Sequence, residues 1–323
     1  MPIHEHLMQG LSIHHLRFRV RPTETIILPE QPGTALRGAL YQALSENFCS
    51  EPFDQQTPDH KQRCPVCWLL AAEDPLAGRG ENIPRPLTVE PPLEQTTYTP
   101  ADEMTFGFSL IGQAQNLLPY VARAVQKMGD IGLGKGRGRF RLMSIAEYSP
   151  LLDAERTLMN GNTVKMGTLP ITPTRISEAA QQFPSERVIL ELLTPLRLTA
   201  SQELVKQLTP VIFMQRLLER CQNLAEHYTA STYVRQEWLT VIDTLLAAAS
   251  DIQTLYDETY WQDSFSGSRR QQRMTPIGGL VGRVCWSGES TAIRELIPWL
   301  LWGQSLHLGK NAVKGNGLYR VLP

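Results

Sequence analysis

Three cysteines and a histidine fall within twenty residues of this chain. Cys64 and Cys67 make a C-x-x-C pair, "CPVC". His60 lies just before it, and Cys49 ends the segment "TALRGALYQALSENFC". Thiolates and an imidazole are a donor set for a tetrahedral structural zinc. Here such an ion would pin an irregular insertion to the end of a helix. Ordinary reduced thiols are the other reading. Cys221 and Cys285 sit among apolar neighbours and read as core.

Two further segments combine glycine with positive charge and carry no acid: "GLGKGRGRFRL", with Lys135, Arg137 and Arg139, and "HLGKNAVKGNGLYRV" near the C-terminus, with Lys310, Lys314 and Arg320 among Gly309, Gly315 and Gly317. Glycine lets a backbone come close to a ligand. Successive N–H groups can then form an anion-binding concavity. A third stretch, "SGSRRQQR", adds Arg269, Arg270 and Arg273. The mononucleotide motif fails. Gly129 to Lys135 spells G-x-x-x-x-G-K, but Gly136 stands where Ser or Thr must bind magnesium, and the segment follows a helix instead of a strand. No G-x-G-x-x-G opens a helix. Three basic stretches suit a polyanion larger than a nucleotide, and RNA or DNA fits best. Solvated charges on glycine turns are the simpler alternative.

The elements that must position these groups follow from periodicity. "LSIHHLRFRV" reads as a strand. "TALRGALYQALSENFC" reads as a helix with Leu36, Leu40 and Leu44 on one face and Thr34 as N-cap. "RPLTVEPP" and "MTFGFSLIG" are strands, "NLLPYVARAVQKMG" a helix, and "GRFRLMSIAEYS" a strand. That order, β-α-β-β-α-β, is a ferredoxin-like unit. It recurs: a strand in "RVILELLTPLRLTA", a helix in "PVIFMQRLLERCQNLAEHY", a second helical pattern from Val234 to Tyr260, a hairpin of "SFSGSRRQQRM" and "LVGRVCWSG", a helix in "TAIRELIPWLLWG" and a last strand in "GLYRVL". The expectation is an α+β protein of two tandem ferredoxin-like (RRM-like) domains, residues 1–160 and 186–323, joined by a linker over 161–185. The first domain carries the cysteine-containing insertion.

With 323 residues there is room for two such domains, and a net charge of -1 excludes a protein basic throughout. No apolar run approaches the roughly 20 residues of a membrane span. The N-terminus lacks the layout of a signal peptide, so a cytoplasmic location is expected, with reduced or metal-bound cysteines.

In their order, "PGTALRGAL", "CPVCWLLA", "VEPP", "PYVARAVQKMGDIGLGKGRG", "LLTPLRL", "LLERCQNLAEHY", "SRRQQRMTPIGGLVGRV" and "SLHLGKNAVKGNGLYRV" resemble the CRISPR-associated endoribonucleases of the RAMP superfamily that process precursor CRISPR RNA. The resemblance implies cleavage of a CRISPR repeat without a catalytic metal. The ribose 2′-OH attacks the adjacent phosphate, leaving a 2′,3′-cyclic phosphate and a 5′-OH. It also implies repeat RNA, and other CRISPR effector subunits, as partners, with no membrane. Many members carry a histidine at or in the first helix. This chain has none there, and Arg37 and Tyr41 are the polar residues nearest that place. Arg37 could hold a phosphate and Tyr41 could donate a proton. Among the histidines, His307 leads into the glycine-rich loop and is the favoured acid or base, with Lys310 as electrostatic clamp. His14 and His15 point to opposite faces of the first strand, so that one could be catalytic. His4 and His6 are expected in a flexible terminus, and His227 at a helix end. The alternative from another class is a non-catalytic RNA-binding RAMP subunit of an interference complex. A protein-interaction module is a third.

Overall fold

A computed structural model describes residues 1–51, 55–71, 83–161, 163–229, 234–268 and 273–323. The chain divides into two compact units. Residues 13–170 form the first; residues 171–323 form the second, together with residues 1–12.

The first unit is built on β1 (Ile13–Pro22), α1 (Pro32–Phe48), β2 (Leu87–Glu90), β3 (Met104–Ile111), α2 (Leu118–Ile131), β4 (Phe140–Ser149) and β5 (Ala154–Thr157). Its sheet runs β2-β3-β1-β4-β5, antiparallel throughout. The first four strands thus have the ferredoxin-like arrangement, with β1 central. Phe18 of β1 packs on Phe106 and Phe108 of β3, with ring centroids 5.7 and 5.6 Å away. Helix α1 buries Leu36, Leu40, Ala43 and Leu44 on one face, the i, i+4 stripe its sequence spells. It begins with Pro32 in its first turn, two residues before the expected cap at Thr34, and Gln31 is its N-cap. Proline is preorganised for that position.

The second unit repeats the topology with β6 (Arg187–Leu196), α3 (Pro210–Tyr228), α4 (Arg235–Ser250), β7 (Gln253–Asp257), β8 (Tyr260–Gln262), β9 (Gly279–Ser287), α5 (Ser290–Leu306) and β10 (Tyr319–Leu322). The sheet order is β7-β9-β6-β10, with β8 also paired to β9. Phe213 of α3 stands edge-on between Trp286 and Tyr319, each 5.3 Å away, a favoured aromatic geometry.

Several expectations are corrected here. The helical pattern over 234–260 ends at Ser250, and β7 and β8 follow. The second strand of this repeat is therefore β7 with β8, whereas Phe265–Ser268 and Arg273–Pro276 make a separate two-stranded hairpin. The expected linker contains a helix, Pro173–Ala180, capped by the Thr172 side chain. The N-terminus is helical over Ile3–Leu7 and buries His4, whose Nε2 is 3.0 Å from the hydroxyl of Ser177. Burial pushes the His4 imidazole down to about 4, against the smaller influence of Glu5. No described helix is long and apolar enough to cross a membrane.

Candidate functional site

Two places gather the chemistry. The first is at the end of α1. Cys49 follows that helix, His60 lies in a short helix capped by Thr57 (Pro58–Arg63), and Cys64 and Cys67 flank the start of the next (Pro65–Ala71). The four ligand atoms all lie within 4.8 Å of one another. Cys49 Sγ is 3.8 Å from Cys67 Sγ, 3.9 Å from Cys64 Sγ and 3.2 Å from His60 Nε2. A tetrahedral zinc with bonds of about 2.3 Å to sulfur separates its thiolates by about 3.8 Å. The donor set and its spacing fit the ion. His60 Nδ1 meets Glu51 at 3.1 Å. A carboxylate on the outer nitrogen turns Nε2 toward the cluster and makes it more basic, as around bound zinc.

Tyr41, on α1, reaches this cluster through Gln56. Its hydroxyl donates to Gln56 Oε1 at 3.1 Å, and the Gln56 amide nitrogen lies 3.5 Å from Cys49 Sγ. Burial pushes the Tyr41 phenol up, so it stays protonated and able to donate. One turn earlier, Arg37 donates to the carbonyl of Leu70 at 2.9 Å. Its guanidinium is largely enclosed, and burial, with the like charge of Arg85, weakens its hold on its proton. Its Nε has no partner among the described residues.

The second is a glycine-rich loop in each unit, at matching positions in the two topologies: 132–139 between α2 and β4, and 307–318 between α5 and β10. In both, several backbone amides are already used. In the later loop, Leu308 N–H donates to Gly317, Lys310 N–H to Arg197, Lys314 N–H to Asn311 and Gly317 N–H to Pro195. In the earlier one, Leu133 and Gly138 donate to each other's carbonyls, and Lys135 N–H donates to Ile27. These bonds close each loop on itself. Glycine is required for that closure. At Gly317 (φ +69°) an added Cβ would lie 1.7 Å from the carbonyl oxygen of Leu308, and at Gly134 (φ +73°) 2.1 Å from that of Ile27. Gly309 and Gly315 also have positive φ.

Lys135, Arg137 and Lys310 are exposed, and Lys314 is half-buried. Arg139 is exposed but paired with Glu24 at 2.5 Å. Arg320 is exposed on β10, in register with Glu191. Arg269 and Arg270 lie outside the described residues. Arg273 begins a strand of the separate hairpin.

The histidines are not where the sequence suggests. His307 is fully buried at the end of α5, at φ +56°. Arg220 of α3, half-buried, donates twice to the carbonyl of Leu306, the residue before His307, at 2.6 and 3.0 Å. His14 and His15 are both buried as well. His14 Nδ1 lies 2.6 Å from Glu147 Oε1; His15 Nδ1 lies 2.5 Å from Glu90 Oε1 and 2.9 Å from the Ser109 hydroxyl. A solvent-borne phosphodiester does not reach any of the three in this conformation. The reason is pairing: strand neighbours supply each of His14 and His15 with a carboxylate, which lets it sit inside.

Residues that sequence reasoning missed stand beside the later loop. The Lys206 ammonium is 3.3 Å above the centre of the Trp261 ring, and the Arg197 guanidinium is 5.7 Å from it. Neither side chain lies in a basic or glycine-rich run, so the sequence held no signal for them.

Residues 190–319 match the model of the CRISPR-associated endoribonuclease Cas6, and residues 11–170 match a model described as an N-terminal domain. No curated protein matches the chain. Among solved structures, the chain resembles a Cas6 product complex (14% identity, TM-score 0.57, covering 96% of this chain and 100% of the other). It resembles Thermus thermophilus Cas6 at 12% identity and TM-score 0.57, covering 97% and 99% of the two chains. It also resembles part of a Cas6-RT-Cas1–Cas2 complex, at 15% identity and TM-score 0.61, covering 97% of this chain and 46% of that one. At these identities the structural likeness speaks for the fold, and the family models speak for the lineage. Residues 190–319, most of the second unit, thus belong to the CRISPR-associated endoribonuclease Cas6 family, and the chain as a whole has the fold of the solved Cas6 structures.

Proposed function

We propose that the chain cleaves CRISPR repeat RNA within precursor transcripts, without a metal in the chemical step, and leaves 2′,3′-cyclic phosphate and 5′-OH ends. The match of residues 190–319 to the endoribonuclease model carries this reading. The exposed cations Lys135, Arg137 and Lys310 on closed loops support it, because phosphate contacts are made by such side chains.

Attack by a 2′-OH needs a proton acceptor, a donor for the leaving 5′-oxygen and positive charge at the phosphorane. In this reading Tyr41 is the donor and Arg37, four residues earlier on α1, holds the phosphate. Lys310 and Lys314 grip the RNA. The Cys49, His60, Cys64, Cys67 cluster takes a structural zinc that fixes the insertion against the end of α1, outside the chemistry. Other CRISPR proteins are its partners, in keeping with the Cas6-RT-Cas1–Cas2 complex that contains a similar chain.

The test is incubation of the purified protein with its own repeat RNA in EDTA, followed by end-group analysis. Cyclic phosphate at one site bears the proposal out. A second reading is favoured by one observation: α1 has no histidine, and His14, His15 and His307 are all enclosed. On that reading the chain is a non-catalytic RAMP subunit that holds RNA, and the same experiment then gives tight binding with intact RNA.

A further inference from the structure

Several arginines in this protein are neutralised by a neighbouring carboxylate. Arg139 pairs with Glu24, Arg283 with Glu191, and Arg17 and Arg19 with Glu155. One group of cations in the second unit differs from these. Among the described residues, Arg197, Lys206 and Lys310 have no carboxylate partner.

Their placement is built. Lys206 is held over the face of Trp261, a contact that fixes an ammonium while leaving its charge uncancelled. The indole is itself fixed, because its Nε1–H donates to Asp263 Oδ1 at 2.9 Å. Arg197 also borders the ring and donates to the carbonyl of Gly278 at 2.9 Å. The carbonyl of Arg197 accepts the amide of Lys310 at 3.0 Å, which ties the glycine-rich loop to the same spot. Lys206 and Arg197 thus meet at one indole, and the loop that carries Lys310 is tied to the same Arg197.

We propose that Lys206, presented by Trp261, joins Arg197 and Lys310 as a binding site for the sugar-phosphate backbone of the RNA. This rests on the RNA reading above. Trp261 is a positioning residue: it orients the ammonium, which leaves Lys206 less freedom to lose on meeting a phosphate.

The test measures binding of repeat RNA across a salt series. Lys206→Ala is expected to weaken binding about three- to tenfold and to lower the salt slope by roughly 0.7 to 0.9, the share of one phosphate contact. Trp261→Ala should lose as much, Trp261→Phe should keep most of it, and the double variant Lys206→Ala with Trp261→Ala should be no weaker than the weaker single one. Lys206 is exposed, so an unchanged melting temperature guards against misfolding. If wild-type protein binds RNA and Lys206→Ala matches it in affinity and slope, this proposal is overturned alone. If wild-type protein does not bind repeat RNA, the functional reading falls and this site falls with it.

Discussion

His14 Nδ1 and Glu147 Oε1 are 2.6 Å apart, and the carboxylate has no exposed surface. Glu147 also accepts the backbone N–H groups of Thr168 and Leu169. Burial alone would raise its pKa, but His14 and these amides outweigh it and hold Glu147 below the usual carboxylate range. A depressed carboxylate stabilises the fold at pH values above its unfolded pKa, near 4, and that stability fades as pH falls through the folded value. Glu147→Gln should therefore cost about 3 kcal/mol at pH 7. The gap between variant and wild type in urea midpoint should narrow on acidification. A gap that stays constant down to the acid transition would show that the charge is not what matters.

The thiol cluster makes a separate prediction. Protein purified without chelator should carry about one zinc per chain, and Cys64→Ser should lose it along with thermal stability. Elemental analysis that finds no stoichiometric metal would leave the four residues as a hydrogen-bonded thiol group.

Single-turnover cleavage separates the candidate proton donors. Tyr41→Phe should slow cleavage by about a hundredfold, with RNA affinity kept. His307→Ala should instead lose about 2–4 kcal/mol of stability through the buried space it opens, and its cleavage rate at low temperature should stay near that of wild type. The reverse pattern would return His307 to the chemistry.

Lys310→Ala combined with Lys314→Ala should weaken repeat-RNA binding and flatten its salt dependence by roughly 0.7 to 0.9 per phosphate contact removed. An unchanged slope in that double variant would mean that the later loop does not touch the RNA backbone.

Gly317→Ala should be far more damaging than either lysine change. The new methyl would collide with the Leu308 carbonyl at a backbone angle only glycine adopts easily. Calorimetry should show a lower melting temperature for it and none for Lys310→Ala.

Both β-α-β-β-α-β units were legible because their central strands and packed helices carry clean apolar periods, as in α1 and α3. β7 was not. All five of its residues are exposed, so it has no alternation to read, and it follows α4 with only two residues between. The thiol cluster was legible from spacing, since its ligands are near in sequence. The burial of His14 was not, because its partner is 133 residues away, and Lys206 and Trp261 meet only after β8 is laid beside β9.

Arg220 of α3, half-buried against the end of α5, has an electrostatic consequence for the loop beyond it. A helix ends on unpaired carbonyls that amount to about half a negative charge. That end opens directly into the loop carrying Lys310, and it would push a nucleic-acid strand away. Burial pulls the Arg220 guanidinium down to about 10, still high enough to remain a cation at neutral pH. By capping Leu306 from the inside, it cancels the repulsion at its source. The lysines outside are then not spent on shielding the protein's own helix, and their field is left to act on what approaches.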